Sequence, residues 1–178
     1  LQVDWNPFEL NPYLPKIGMD RSDYLRIKFG STSAAKRIYE QILINAEADG
    51  LKLNLEDIKR VPNTRDAHKL ILSANEPQKQ NLIVNKLFEA YFILGLDIGD
   101  TNNLVDIAVK AGFQNSEATN IIMNPEMNSL VEKLESRASN LGIMGVPAFL
   151  YNGHYLFSGA QSADTIRLSI TKAHKRQL

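Results

Sequence analysis

A β-hairpin signal near the end of an otherwise helical chain places the strongest constraint on the fold. Residues 148–151 and 154–157 are both rich in residues that favour strands, and Asn152-Gly153 separates them. Asn-Gly between two such runs favours a two-residue turn, because both turn positions need a positive φ. The sequence therefore predicts two antiparallel strands joined at Asn152-Gly153.

A further strand signal lies at the other end of the chain. Val3, Trp5 and Phe8 come close to alternation, and prolines at 7, 12 and 15 end the run. We expect residues 1–9 to form a strand that joins the hairpin, because a lone strand among helices would leave its backbone unpaired. The residues between would then be an insertion, which predicts α/β architecture with an all-helical inserted region.

The intervening residues carry the apolar spacing and the end signals of helices. Starts are predicted at Ser33, at Asn63 or Thr64, at Pro77, at Thr101, near Ala118, at Asn124-Pro125 and, after the hairpin, at Ser162. Stops are predicted at glycines 50, 95, 112 and 142. Residues 51–123 should be almost wholly helical and should bury Leu87, Phe88, Tyr91 and Phe92.

Composition excludes several classes of function. Twenty basic residues balance twenty acidic ones, which gives no global field for nucleic acid or anionic lipid, and no apolar run is long enough to span a bilayer. The chain has no cysteine, which excludes disulfides, thiolate metal sites and thiol catalysis by its own residues. Metal-ligand spacings, a dinucleotide-binding loop and G-x-S-x-G are also absent from the sequence.

Two short segments hold candidate site residues, and each also has a structural interpretation. Asn63 with Asp66 three residues on is typical of a capping box, and His68 could titrate near neutral pH or could serve packing alone. In the loop 142–147, Pro147 precedes the first hairpin strand, where a rigid trans linker is the ordinary interpretation, since about one X–Pro bond in twenty is cis in folded proteins. The residues alone leave these alternatives open.

Four motifs in register make the chain similar to a known family. They are Phe8-Glu9-Leu10-Asn11-Pro12, the segment 62–68, the segment 87–92 with Asp97-Ile98-Gly99-Asp100, and the segment 145–149 with Ser158-Gly159-Ala160-Gln161. Together they resemble the FrnE-like branch of the DsbA family in the thioredoxin superfamily. Relatives of this branch include 2-hydroxychromene-2-carboxylate isomerase and the kappa-class glutathione transferases.

The resemblance implies an α/β, DsbA-like thioredoxin fold with an inserted all-helical domain. The thioredoxin-like domain would comprise residues 1–15 and 140–178, and the helical domain residues 16–139. The family has a strand and a helix with its nucleophile before the point where this chain opens, so we expect that βα unit and the catalytic residue to lie upstream of Leu1, with no catalytic residue in the chain itself.

The resemblance also assigns a substrate-binding set. The Val146–Pro147 bond would be cis, and the backbone around Val146 would pair with an extended peptide or with glutathione. In glutathione-using relatives, the segment matching 158–161 holds the γ-glutamyl end at a helix N-terminus. The implied substrate-binding residues are Gly145, Val146, Pro147, Asn63, His68, Ser158 and Gln161.

The implied function is thiol–disulfide exchange with protein or peptide thiols in the intact protein. The alternatives are a glutathione-dependent isomerase or transferase, and a non-catalytic peptide-binding module. We expect a cytoplasmic protein without metal or bound cofactor, with glutathione open as a co-substrate and a homodimer open as the assembly. Nucleic acid and membrane are not expected partners, and the cysteine-free chain alone should be inactive as an oxidoreductase.

Overall fold

The computed structural model describes residues 2–177, apart from the side chains of Thr32 and Gln177. Its residues divide into two compact units, Leu1–Val131 and Glu132–Leu178. The helices are α1 Arg21–Phe29, α2 Thr32–Ala48, α3 Arg65–Ser73, α4 Pro77–Phe88, α5 Thr101–Lys110, α6 Asn115–Met123, α7 Pro125–Asn140 and α8 Ala163–Gln177. The strands are β1 Met19–Asp20, β2 Arg60–Val61, β3 Ala148–Tyr151 and β4 His154–Ser158.

The first unit has a helical core built from α3 to α6. Each of these helices turns one apolar face inward, and Leu70, Ile83 and Leu104 are completely buried there. Phe113 follows α5 and is buried beside them, and its N–H donates to Ala108 O at 3.0 Å. This bond closes the end of α5 where Gly112 adopts φ 89°, as the sequence predicts.

The helix that begins at Pro77 ends differently from the prediction. The α-helical hydrogen bonding stops at Phe88, and Glu89–Ile93 forms a π-helical turn closed by Leu94 N–H donating to Glu89 O at 3.0 Å. The wider turn changes the directions of the Tyr91 and Phe92 side chains relative to those in an α-helix. Leu87 is buried as predicted, but the prediction for Phe88 is wrong, because half of its surface, 51%, is exposed.

The prediction of a strand over residues 1–9 is wrong for the described residues 2–9. Trp5 N–H donates to Gln80 Oε1 at 2.8 Å, and the Gln80 amide donates back to Trp5 O at 3.2 Å. The Trp5 indole donates to Asn81 at 2.6 Å and packs edge-on against Phe88. The near-alternation of apolar residues therefore reflects an extended segment held against α4, while Leu1 lies outside the described residues.

A small antiparallel pairing joins two points far apart in the sequence. Met19 pairs with Val61, and Asp20 with Arg60. Gly18 lies in the left-handed region at φ 69°, and a Cβ there would collide with the backbone of residues 61–62. Neither this pairing nor α1 was predicted from the sequence, and α1 buries no side chain that an apolar periodicity could reveal.

The second unit contains the hairpin and α8. β3 and β4 pair antiparallel with Tyr151 opposite His154, and Asn152 and Gly153 have φ of 48° and 80°, so the hairpin prediction is confirmed. The rings of Phe149 and Phe157 stack at 4.7 Å on one face of the hairpin. On α8, His174 meets the Tyr151 hydroxyl at 2.8 Å.

Residues 2–15 belong to the first unit by their contacts within the chain. The predicted grouping of residues 1–15 with residues 140–178 in one domain stays a prediction. Across the described residues, no helix has both the length and the apolar character needed to cross a membrane.

Candidate functional site

The loop between α7 and β3 has one buried side chain, and the apolar side chains before and after it are exposed to solvent. Gly142 ends α7 with φ 75°, and Ile143 N–H donates to Ala138 O at 3.1 Å. Ile143 is 7% exposed, whereas Met144 is 92% and Val146 45% exposed. The single buried side chain therefore anchors a loop whose neighbouring apolar side chains face solvent.

The proline at the end of this loop contacts the last part of the hairpin. Gly159 N–H donates to Pro147 O at 2.8 Å, one step beyond the Ala148–Ser158 pair. The Val146–Pro147 peptide bond is cis. Gly145, Val146, Pro147 and Ser158 are thus brought together in the second unit.

The direction of the Pro147 carbonyl determines which backbone groups face outward. In a trans peptide the C=O and the next N–H point in opposite directions, so the Ala148 N–H points away from β4. The N–H and C=O groups of Ala148 therefore lie on the outer edge of β3. The register is irregular between Phe149 and Leu150, but Tyr151 and His154 close the two-residue turn and face each other, which places the groups of Leu150 on the outer edge as well. No third described strand pairs with that edge, and Val146 makes no backbone hydrogen bond to any described residue.

Between the end of β4 and the start of α8, two serine hydroxyls already accept hydrogen bonds from within the protein. Ser158 Oγ accepts from the Tyr155 hydroxyl at 3.1 Å. Ser162 Oγ accepts from Thr165 N–H at 3.2 Å and so caps α8, as predicted. Gln161 is exposed and lies between these two contacts.

Asn63 lies at the start of α3 in the first unit, but it does not form the predicted capping box. Its Oδ1 accepts from Arg65 N–H at 3.1 Å in a local turn, and its amide donates to Leu14 O at 2.8 Å. Asp66 instead pairs with Lys69 at 2.8 Å and with Lys16 at 3.4 Å. Asn63 therefore holds the segment before β1 in place.

His68 lies one turn further along α3, and its surroundings keep it neutral. Burial lowers its pKa to about 4, although a hydrogen bond with the Phe8 backbone acts in the opposite direction. Titration near neutral pH is therefore not expected of this residue. Asn63 precedes α3 and His68 lies in it, both in the first unit, whereas the other predicted site residues belong to the second unit.

Two residues beside the loop were not singled out by the sequence. Met144 and Leu150 are exposed at 92% and 42%, and both adjoin the open backbone groups. Their residue types favour a core position, so the sequence gives no signal that they face solvent. Alternation from Pro147 could have placed Leu150 on the outer edge once the hairpin register was known.

Comparisons with known proteins agree with this architecture. The family model of the DsbA-like thioredoxin domain matches residues 1–171. A comparison with curated proteins gives no match. The crystal structure of a "putative protein disulfide isomerase" from Nitrosomonas europaea is similar, with a TM-score of 0.71, 15% identity, and coverage of 86% of this chain and 88% of that one.

The structural likeness concerns the fold, because the sequence identity is low. The family match covers nearly the whole chain, and the predicted α/β, DsbA-like thioredoxin fold with a helical insertion is confirmed. The chain therefore belongs to the DsbA-like thioredoxin domain family.

Proposed function

We propose that this chain binds extended protein or peptide thiols at Gly145–Pro147 and takes part in thiol–disulfide exchange, as a FrnE-like member of its family. Family membership supports thiol–disulfide oxidoreductase chemistry in general. The single observation that carries the proposal is the exposed backbone of Val146 beside Pro147, since the N–H and C=O groups of Val146 bond to no described backbone group.

These groups suit a peptide that adds as a strand. Main-chain hydrogen bonds along a strand edge supply affinity, and alternate side chains of the peptide supply selectivity. The exposed side chains of Val146 and Leu150 offer apolar contact on either side of Pro147. An extended peptide of apolar or β-branched residues is therefore the favoured ligand.

The chain's own role in exchange is to orient the substrate. Exchange requires a thiolate that attacks a disulfide sulfur, so that one S–S bond forms while another breaks and a thiolate leaves. The chain has no cysteine, so every reacting sulfur must come from outside these 178 residues. Its residues hold the peptide backbone and contribute no electron pair.

Binding can be tested with a matched pair of variants. The probe is a short fluorescein-labelled peptide that carries one reduced cysteine between β-branched residues, and binding is followed by fluorescence anisotropy. Val146→Asp should weaken binding by about tenfold or more, since it places a charge beside the apolar peptide. Val109→Asp is the control, because Val109 is exposed to the same degree, 44% against 45%, and lies on α5.

Equal losses in the two variants, or no binding by the unmodified chain, would refute the proposed site. Circular dichroism melting of both variants separates loss of binding from loss of folding. Val146 precedes β3, so its replacement should leave the hairpin contacts intact.

Glutathione is a second candidate ligand, favoured by the position of the segment 158–161 beside Pro147. Ser158 and Gln161 would contact its γ-glutamyl end, and displacement of the labelled peptide by millimolar glutathione would support this. The glutathione-dependent isomerase alternative depends on the same contact. The cytoplasmic location and the homodimer stay predictions.

A further inference from the structure

All the sulfur in these 178 residues is carried by methionine. Thiols normally react first with peroxides, but this chain has none, and its four methionines become the most readily oxidised side chains that carry sulfur. Reaction of a thioether with a peroxide requires that the oxidant reach the sulfur. Solvent exposure therefore ranks the four methionines.

The ranking is clear from the structure. Met144 is 92% exposed and Met123 is 67% exposed, whereas Met19 and Met127 are partly buried. The adjoining Gly145 is also uncrowded, since a Cβ built there would meet no atom within 4 Å outside its chain neighbours. The buried Ile143 holds the backbone of the loop, which keeps the Met144 side chain directed away from the unit's interior.

We propose that Met144 is a peroxide-sensitive modification site, and that its sulfoxide weakens peptide binding at Gly145–Pro147. The thioether sulfur attacks one oxygen of hydrogen peroxide, an S–O bond forms and the O–O bond breaks. The sulfur gives up two electrons, and the peroxide is reduced to one molecule of water. Methionine sulfoxide is polar where the thioether was apolar.

The effect on binding rests on the proposed function. Met144 lies two residues before Val146 in the same loop, and both side chains are exposed, so we expect a peptide bound at Gly145–Pro147 to contact both. Loss of an apolar contact and the need to solvate a new S–O dipole both disfavour an apolar peptide. Because sulfoxides can be reduced again, the change is reversible in principle.

Limited peroxide treatment of the full chain, followed by peptide mapping with mass spectrometry, tests the modification. The first oxygen should appear on Met144, ahead of Met123. Peroxide is then removed by gel filtration, and the labelled reduced peptide is titrated by anisotropy. Oxidation should weaken binding by roughly fivefold.

Two variants complete the experiment. In Met144→Leu, which conserves volume but cannot be oxidised, treated and untreated protein should have equal affinity. In Met123→Leu, treatment should still weaken binding. Oxidation of any other methionine first, or unchanged affinity of the wild-type chain once Met144 is oxidised, would overturn the inference. Absence of binding before treatment would instead refute the proposed function, and with it the effect of oxidation on binding. The order in which the methionines oxidise would still test Met144 as the modification site.

Discussion

At the scale of single residues, the polar side chains of the first unit hold backbone segments in place. Asn63, Arg60 and Gln80 donate to the carbonyls of Leu14, Ile17 and Trp5. His68 belongs to this group, because its ring hydrogen bonds to the Phe8 backbone. The sequence identified Asn63 and His68 as notable but could not show that the partners of both are backbone groups more than 45 residues away.

His68 should make stability depend on pH in the acidic range. Its pKa is about 4 in the folded chain against 6.5 when unperturbed, so the unfolded chain binds more protons between these values. Stability contributed by neutral His68 is therefore fully present above pH 6.5 and is lost as the pH falls toward 4, by roughly 3 kcal/mol at most. Urea unfolding at several pH values should show a flatter profile in His68→Gln than in the wild type. Parallel profiles would contradict this assignment.

At the scale of elements, structures that depend on neighbouring residues were predicted correctly from the sequence. Contacts between distant parts of the chain were not. The hairpin and the helix starting at Pro77 depend on neighbouring residues, and both are found where predicted. Ser31 and Asp100 cap α2 and α5 two and one residues earlier than predicted. The segment 2–9 was mistaken for a strand because extended chain has the same alternation whether it pairs with a strand or with the side chains of a helix.

The attachment of this segment to α4 can be measured through the chain's one tryptophan, Trp5. Gln80→Ala removes both hydrogen bonds to the Trp5 backbone and should cost about 2 kcal/mol in the free energy of unfolding. The emission of Trp5 should also shift to longer wavelength as the indole becomes more exposed. Gln41→Ala, at an exposed position of α2, should change neither quantity. A similar change in both variants would mean that Gln80 does not hold the segment.

At the scale of the whole molecule, the fold was predicted by family resemblance and not by residue patterns alone. The patterns gave helices and a hairpin, but many folds combine these elements. The order of four motifs narrowed the choice to the DsbA-like family, which the family match confirms. Neither source could show that Gly159 N–H donates to Pro147 O, the contact that fixes the outward direction of the Ala148 N–H.

The chain alone should not catalyse disulfide reduction. With dithiothreitol as reductant, the rate of insulin precipitation should equal the uncatalysed rate, because no residue of the chain can form a thiolate. Thioredoxin added to a parallel sample shows that the assay responds. A rate above background with the chain alone would mean that another of its side chains takes part in the reaction.

The attachment of residues 2–9 also sets an order in which the chain can be completed during synthesis. The partners of Trp5, Gln80 and Asn81, are made 75 and 76 residues after it. A ribosome adds roughly 5–20 residues each second, so the segment spends several seconds without them. Closing so long a loop is also slow compared with forming a helix. Residues 2–9 therefore reach their place only after α4 has been made, and an exposed tryptophan is available to chaperones until then.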